Sequence, residues 1–485
     1  MAEYFDVLII GAGISGIGTA VHLRERCPDR SLALIEARAD IGGTWDLFRY
    51  PGIRSDSDMH TLGFRFKPWT GEKAIADGPS ILAYLHKTVE EYGLRPHIRF
   101  GYRGCAAHWS SETARWTVDI ERPDGTAFSL SAGFLCMCAG YYSYRGGHAP
   151  EFPGQARFRG PIIHPQAWPE DLDYADRQVV VIGSGATAMT MVPAMAETAR
   201  HVTMLQRSPT YVVARPEIDV ISQALRRWLP ERWAYGLTRW KNILFTDKVY
   251  QRTRTDPDKI KKLLVDGVSK ALGSDYDVET HFTPRYNPWD QRLCLLPDGD
   301  LFKSITAAKA SVVTAVISGF CENGIELDNG DVLPADLIVS ATGLRMVIAG
   351  EMPIDIDGEV VDFSRTWTYR GLAYSDVPNL ITTFGYINAS WTLRSDLIAE
   401  YTCRVLNHMT RTGTRVATPR LRSGDQAMTP RPFIEAFSSG YMQRTMARLP
   451  RQGDREPWLN SQRYLTDRKT LGKAPVDDGV MRFTS

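Results

Sequence analysis

The sequence lacks a C-x-x-C cysteine pair, a long hydrophobic run, and an excess of charge of either sign. Without such a pair, its seven scattered cysteines do not indicate zinc or dithiol redox chemistry, so we predict reduced structural thiols and no metal site. No apolar stretch approaches the roughly 20 residues that a transmembrane helix needs. The cysteines are Cys27, Cys105, Cys136, Cys138, Cys294, Cys321 and Cys403.

The charge balance excludes partners that bind through a strong overall field. The 57 basic and 56 acidic side chains leave a formal charge of +1, so we expect no nucleic-acid partner. The 485 residues, 43% of them hydrophobic, are enough for two or more cores. The N-terminal segment places acids before a short apolar run, unlike a signal peptide, which predicts a cytoplasmic location.

A first glycine-rich turn follows the apolar run of residues 5–10 and leads into a helical pattern. The turn reads Gly11-Ala12-Gly13-Ile14-Ser15-Gly16. In a strand, turn and helix of this kind, Gly11 permits the tight turn, Gly13 lets the backbone approach a pyrophosphate, and Gly16 lets the helix pack on the strand. The helix N-terminus would then donate N–H groups to the anion.

The acid at the end of the next strand selects among dinucleotides. Glu36 follows the apolar run 32–35 and lies twenty residues after Gly16. A carboxylate there accepts hydrogen bonds from ribose hydroxyls and repels a 2′-phosphate. The first unit is therefore predicted to bind FAD or NAD rather than NADP.

A second copy of the pattern has the opposite charge at the ribose position. The strand 178–182 leads into Gly183-Ser184-Gly185-Ala186-Thr187-Ala188, and the strand 202–205 leads to Arg207 and Ser208. A guanidinium can chelate a 2′-phosphate, so this unit is predicted to bind NADPH. Two such units in one chain indicate a flavin that is reduced by NADPH.

Two further apolar strands, 133–140 and 336–343, each close on a glycine. We interpret them as crossings between domains, with the second returning the chain to finish the first domain. The predicted fold is α/β, with two Rossmann-like dinucleotide-binding domains. We expect a discontinuous FAD domain (1–145 and 335–485) and an NADPH domain (146–334) with a helical insert at about 215–285.

Two motifs carry a resemblance to a known family. The segment GGTWDLFRYPGIRSDSD (42–58) and the linker FRGPIIHPQAWP (158–169) resemble type I Baeyer–Villiger monooxygenases, and the linker matches the family fingerprint F-x-G-x-x-x-H-x-x-x-W-P at every fixed position. Segments 281–305, 386–397 and 438–453 resemble the ethionamide-activating branch. The fixed positions of the fingerprint are Phe158, Gly160, His164, Trp168 and Pro169.

The resemblance implies particular site residues. Gly43, Thr44 and Trp45 would contact FAD, and the arginine of PWDQR, Arg292, would be the active-site arginine, oriented by Asp56. The alternatives are a surface salt bridge for Arg292 and an Asx-turn role for Asp56. In the fingerprint, His164 and Trp168 would support the inter-domain hinge or be core residues, rather than react.

The resemblance also implies the chemistry. NADPH would reduce FAD, O₂ would add to give a C4a-peroxide, and Arg292 would stabilise its negative charge and the later oxyanion. A small ketone would become an ester or lactone, and a sulfide would become a sulfoxide. The helix near Trp391 would direct its N-terminal amides at the flavin. The sequence leaves open the substrate, its regiochemistry and the oligomeric state.

The segment 226–262 combines eleven basic and four acidic residues with aromatic ones. A mostly helical, solvated face over a substrate or domain surface is the favoured interpretation, and peripheral association with an anionic membrane surface is the alternative. The interleaved aromatic residues are Trp228, Trp233, Trp240 and Phe245.

Three other functions remain to be compared with a Baeyer–Villiger enzyme. A flavin disulfide reductase is disfavoured because no redox cysteine pair follows the first nucleotide motif. A heteroatom-oxidising flavin monooxygenase shares both nucleotide motifs, but the fingerprint ending in Trp168-Pro169 argues against it. A non-catalytic redox sensor would have no need of Arg292 and Asp56.

Overall fold

The computed structural model describes residues 2–435 and 437–485 of the chain. Its strands are mostly short, and the central parallel ones are apolar and largely buried on both faces, as expected of parallel strands covered by helices. They are β1 (Glu3–Ile10), β2 (Leu32–Glu36), β3 (Ile98–Phe100), β4 (Arg103–Ser110), β5 (Arg115–Glu121), β6 (Ala127–Met137), β7 (Ile162–Ile163), β8 (Gln178–Ile182), β9 (His201–Gln206), β10 (Val212–Arg215), β11 (Cys294–Pro297), β12 (Ala310–Thr314), β13 (Ile317–Cys321), β14 (Gly324–Leu327), β15 (Val332–Pro334), β16 (Leu337–Ser340), β17 (Ile354–Ile356), β18 (Glu359–Val360), β19 (Thr368–Tyr369), β20 (Ala373–Tyr374), β21 (Leu380–Thr382), β22 (Val416–Pro419) and β23 (Met481–Thr484).

The helices cover the sheets and form the insert between β10 and β11. Several begin at an aspartate whose side chain accepts a hydrogen bond from the first turn, such as Asp77 and Asp219, which satisfies a free N–H group. They are α1 (Ile14–Arg26), α2 (Thr44–Leu47), α3 (Met59–Leu62), α4 (Gly78–Glu91), α5 (Ala186–Met195), α6 (Val220–Trp228), α7 (Glu231–Thr255), α8 (Pro257–Leu272), α9 (Val278–Phe282), α10 (Asp300–Thr306), α11 (Trp391–Thr412), α12 (Gly440–Gln443) and α13 (Tyr464–Thr470).

The first sheet has the order β18-β17-β4-β5-β6-β1-β2-β3, and β21 also pairs with β6. Strands β6, β1, β2 and β3 are parallel neighbours, with β1 between β2 and β6. The carboxyl ends of β1 and β6 therefore lie side by side, where an open α/β sheet binds its ligand.

The second sheet has the order β12-β9-β8-β16-β7 and is parallel throughout. Strand β16 pairs with β8 in the register Val339 to Val181. The prediction that strand 336–343 completes the first domain is therefore wrong, and the boundary at 335 is too early. The chain rejoins the first sheet only at β17, which pairs with β4.

A segment from the first half of the chain packs into the core of the second unit. Phe48 and Tyr50 are buried in the same cluster as Val181 and Met204, and Ile53 packs against it. A Cβ on Gly52 would lie 2.7 Å from the carbonyl oxygen of Thr190 in α5. The loop that follows α2 is thereby fixed to the second unit.

Helices α6 to α9 occupy the segment predicted to be a helical insert. Helix α7 lies against α3 and buries Arg239, which donates to the carbonyl oxygens of His60 and Gly63 at 2.8 Å. Among the helices of residues 2–435 and 437–485, none has the length and hydropathy that a membrane crossing requires.

Candidate active site

Backbone atoms lie against the first glycine turn on two sides and leave no room there for a side chain. Gly11 has φ +102°, and a Cβ there would lie 2.7 Å from the carbonyl oxygen of Cys138. A Cβ on Gly16 would overlap the carbonyl oxygen of Gly11. Only glycine fits either position, which leaves the N-terminus of α1 open toward the cavity.

Glu36 lies at the end of β2, buried against this turn. One carboxylate oxygen accepts from the backbone N–H of Ala12 at 2.9 Å, and the other accepts from that of Arg38 at 3.0 Å. Burial raises the pKa of Glu36, and the two backbone hydrogen bonds oppose that shift. Each oxygen keeps a free lone pair, so the carboxylate can still accept from a ribose hydroxyl.

The segment containing Gly43, Thr44 and Trp45 lies directly over the turn. Gly13 and Gly42 form a bridge between the two segments, and the N–H of Gly42 donates to the carbonyl oxygen of Ala12 at 3.0 Å. Thr44 begins α2 next to that bridge. The residues predicted to contact FAD through these two motifs therefore line one cavity, namely Gly11, Gly13, Ser15, Glu36, Gly43, Thr44, Trp45 and Asp56, while Gly16 lies behind it.

The second turn repeats the first at the end of β8. Gly183 has φ +130°, and a Cβ there would overlap the carbonyl oxygen of Ala341, at the end of β16. A Cβ on Gly185 would meet no atom within 4 Å, because it would point into the open cavity. The residues of this unit that line the cavity are Gly183, Ser184, Gly185, Ala186, Thr187 and Arg207.

Arg207 and Ser208 differ in what they present to the cavity. Arg207 is exposed and lines the cavity, and no acidic side chain in the described parts of the chain pairs with it. Ser208 instead uses its backbone carbonyl, which accepts from the hydroxyl of Ser184 at 3.1 Å. The guanidinium is thus available for an anion, whereas Ser208 positions the turn.

Arg292 and Asp56 form an ion pair in the same cavity. The Nε of Arg292 lies 2.6 Å from a carboxylate oxygen of Asp56, with the side chains 29% and 31% exposed. The charge of Asp56 raises the pKa of Arg292 above its usual range, although burial opposes the shift. Arg292 is therefore always a cation, with donors left for a second anionic partner.

The structure adds an aromatic group that sequence reasoning missed. The hydroxyl of Tyr142 donates to that of Tyr141 at 2.8 Å, and Tyr141 stacks on Trp391 at 4.9 Å between ring centres. Burial raises the pKa of Tyr141, which the charge of Arg292 opposes. Tyr141 and Tyr142 follow Gly140 at the end of β6. Their position, just beyond the carboxyl end of a strand in the middle of the first sheet, could have indicated from the sequence that both tyrosines belong to the site.

Trp391 is the first residue of α11 and links two parts of the site. Its indole N–H donates to the hydroxyl of Ser15 at 2.7 Å, and Ser390 precedes it as the N-terminal cap. The helix predicted near residues 388–390 therefore begins at Trp391. Its N-terminus lies beside the first glycine turn.

The fingerprint residues lie outside the cavity and join the linkers. His164 Nε2 lies 3.1 Å from the carbonyl oxygen of Gly343, and its Nδ1 accepts from the N–H of Gln166 at 3.2 Å. Burial lowers the pKa of His164. Phe158 is buried, a Cβ on Gly160 would lie 2.5 Å from a backbone oxygen, Trp168 packs against the second core, and Pro169 is exposed.

These residues surround one continuous cavity, with a dinucleotide cradle on each sheet and the pair of Arg292 and Asp56 among the side chains that line it. The negative end of one cradle, Glu36, and the positive end of the other, Arg207, both face it. Two dinucleotides with different ribose substituents can therefore enter the same space.

The chain belongs to the flavin-binding monooxygenase-like family. Residues 75–222 match the family model described as flavin-binding monooxygenase-like, and residues 9–70 match an NAD(P)-binding Rossmann-like domain. The prediction of two dinucleotide-binding units on an α/β fold is confirmed. So is the predicted class of enzyme, an FAD-dependent monooxygenase that uses NADPH.

Similar proteins span the whole chain. The FAD-containing monooxygenase EthA of Mycobacterium tuberculosis (strain ATCC 25618 / H37Rv) is 50% identical over 484 residues, which cover 100% of this chain and 98% of that protein. The probable FAD-binding monooxygenase AlmA of Acinetobacter baylyi is 48% identical over 485 residues, covering 100% and 97%.

Solved structures share the fold at lower identity. A steroid monooxygenase bound to NADP has a TM-score of 0.79 at 22% identity, covering 99% of this chain and 100% of that one. A cyclohexanone monooxygenase with bound ε-caprolactone has a TM-score of 0.74 at 19% identity, covering 100% of both chains. These likenesses establish the two-unit architecture.

Proposed function

We propose that this enzyme carries out Baeyer–Villiger oxidation of ketones to esters or lactones and oxidises sulfides to sulfoxides. FAD would bind in the first cradle and NADPH in the second. The observation that carries the proposal is the ion pair of Arg292 and Asp56 in the cavity that both cradles share. A permanent cation at that place stabilises negative charge on a reacting oxygen.

The first cradle fits FAD by its shape and by its charge. The pyrophosphate would lie over Gly13 at the N-terminus of α1, where backbone N–H groups point into the cavity. Glu36 would accept from the ribose hydroxyls, and Ser15, held by Trp391 at 2.7 Å, would face the bound group. When bound, FAD accepts hydride from NADPH and activates O₂.

The second cradle fits NADPH. The open space beyond Gly185, which a Cβ would fill, suits a pyrophosphate. Arg207 is exposed without an acidic partner in the described residues. Its guanidinium can therefore form two parallel hydrogen bonds to a 2′-phosphate. Glu36 at the equivalent position of the first unit would repel that phosphate, which assigns the two nucleotides to different cradles.

Arg292 would act directly on the substrate. In ketone oxidation, oxygen adds to a carbonyl carbon and the carbonyl oxygen becomes an anion, which Arg292 can bind without giving up a proton. Asp56 holds Nε at 2.6 Å, which leaves the terminal nitrogens to the oxyanion. Tyr141 and Tyr142 line the same cavity, and Tyr141 lies close enough to Arg292 for its charge to affect the phenol.

A heteroatom-oxidising enzyme with little ketone activity is the second candidate. It is supported by the ring of Tyr141 stacked on Trp391, a flat apolar surface that suits an aryl sulfide. Oxygen transfer to sulfur develops no oxyanion on the substrate. Arg292 would then matter less to sulfides than to ketones.

Product analysis separates these functions. Purified protein with FAD, NADPH and O₂ is incubated with linear ketones, cyclic ketones and aryl sulfides, and the products are identified by mass spectrometry. Esters or lactones would support the proposal, whereas sulfoxides alone would favour the second candidate. Loss of NADPH with no oxygenated product from any compound in the panel would contradict both activities for these substrate classes.

A further inference from the structure

Exposed apolar side chains are concentrated in one helical corner, which we define as residues 220–245 of α6 and α7. Seven of the thirteen large apolar side chains that are exposed in the described chain lie there. Trp228, the last residue of α6, is 85% exposed, and Trp233, in the first turn of α7, is 69% exposed. The seven are Val220, Ile221, Trp228, Trp233, Leu237, Leu244 and Phe245.

Their spacing places them on continuous helix faces. Trp233, Leu237 and Leu244 are four and seven residues apart along α7, and Val220 and Trp228 are eight apart along α6, so each set forms one stripe. The two helices meet at the turn that separates the tryptophans. An apolar face of this kind on a folded protein marks a contact surface.

The basic residues around the corner divide into two groups. Four have side chains that are held within the protein: Arg226 and Arg239 donate to backbone carbonyls, Lys241 pairs with Asp219, and Arg254 pairs with Asp290.

Three others face solvent: Arg227 and Arg232 adjoin Trp228 and Trp233 in the sequence, and Lys248 lies fifteen residues beyond Trp233 on α7. Glu231 is the exposed acid between residues 220 and 248 of the described chain. The net charge at the corner is therefore positive. Aromatic and aliphatic side chains flanked by arginine and lysine are the composition that binds the interface of an anionic bilayer.

We propose that the helical corner docks the enzyme on the surface of an anionic lipid bilayer, with Trp228 and Trp233 inserted at the headgroup level. A second copy of the chain is the poorer occupant, because a two-fold contact would bring Arg227, Arg232 and Lys248 against their own equivalents. The inference does not depend on the reaction proposed above.

Vesicle cosedimentation tests the proposal on the FAD-loaded enzyme. Vesicles of equal parts phosphatidylglycerol and phosphatidylcholine should carry the protein into the pellet at low salt, and pure phosphatidylcholine vesicles should carry much less. The double variant Trp228→Ser/Trp233→Ser should remain in the supernatant. The matched control Val332→Ser/Val360→Ser removes two apolar side chains that are 51% and 74% exposed elsewhere, and it should pellet like the wild type.

Variants that remove positive charge from the helical corner give a quantitative prediction. Arg227→Gln/Arg232→Gln should lower the partition coefficient roughly 30-fold, since each basic residue near an anionic surface contributes about 1 kcal/mol and about 1.4 kcal/mol is tenfold. Equal NADPH oxidation by all variants would show that they are folded and active. Absence of wild-type binding to the anionic vesicles would overturn the proposal, as would a tryptophan variant that binds undiminished. A tryptophan variant that instead changes the oligomeric state would assign the corner to a second copy.

Discussion

Replacing Arg292 with alanine should separate NADPH consumption from oxygenation. The two cradles lie on the glycine turns and do not need Arg292, so hydride transfer should continue. Ester formation should fall, and sulfoxide formation should fall less, with H₂O₂ released in their place.

The size of the loss follows from the charges in the cavity. A guanidinium about 4 Å from a developing oxyanion contributes about 4 kcal/mol at an effective dielectric constant of about 20. Asp56, bound to the far side at 2.6 Å, offsets roughly half of that. The remainder, with a charge-assisted hydrogen bond of about 1.5 kcal/mol or more, corresponds to a roughly 10²- to 10³-fold loss of ketone oxygenation.

The assay compares product formed with NADPH consumed for each variant. Arg285→Ala is the matched control, because Arg285 is exposed and lies only seven residues away in the sequence. Arg292→Lys should retain part of the coupling, since it keeps the charge without the fork of donors. If Arg292→Ala forms ester at the wild-type ratio to NADPH, the electrostatic role of Arg292 is wrong.

Three more predictions concern the cofactors and the linkers. Arg207→Gln should raise the KM for NADPH about 10-fold or more and leave that for NADH almost unchanged, whereas Ser208→Ala should change neither; steady-state kinetics with both nucleotides would check this. Gly16→Ala should lower Tm. Overlap of the new Cβ with a backbone carbonyl costs about 1–3 kcal/mol, which exceeds the roughly 1 kcal/mol that alanine gains over glycine in a helix. Gly185→Ala should leave Tm unchanged in the absence of nucleotide but weaken NADPH binding. His164 has a pKa lowered by burial, so its contribution to stability is present above the unfolded value of about 6.5 and is lost as the pH falls; denaturant unfolding of the wild type and His164→Gln from about pH 7.5 to about pH 5.5 should show a smaller decrease in the variant.

The dinucleotide turns could be predicted from sequence because their signals are local. Gly11 and Gly183 have positive φ angles that only glycine adopts readily, and the residue after the next strand gives the charge. The assignment of strand 336–343 was wrong for a physical reason. Strands buried on both faces are uniformly apolar, so nothing in Leu337–Ser340 indicates which of two sheets it joins.

The sequence alone could not predict which side chains from distant segments are in contact. Tyr142, Tyr141 and Trp391 come together because β6 ends and α11 begins at the same edge of the first sheet. The composition of the insert likewise does not show which of its side chains are buried. Its composition resembles an evenly basic face, yet Arg239 is buried under α3 carbonyls, whereas Trp228 projects into solvent.

The packing of the segments on either side of Asp56 ties the pair of Arg292 and Asp56 to both units of the molecule. Before Asp56, Tyr50 is anchored in the second core and Arg54 pairs with Asp300 at 2.5 Å. After Asp56, Met59 and Leu62 are buried in the first core. The Asp56 loop therefore spans the boundary between the two units, and the position of Arg292 depends on how those units pack together.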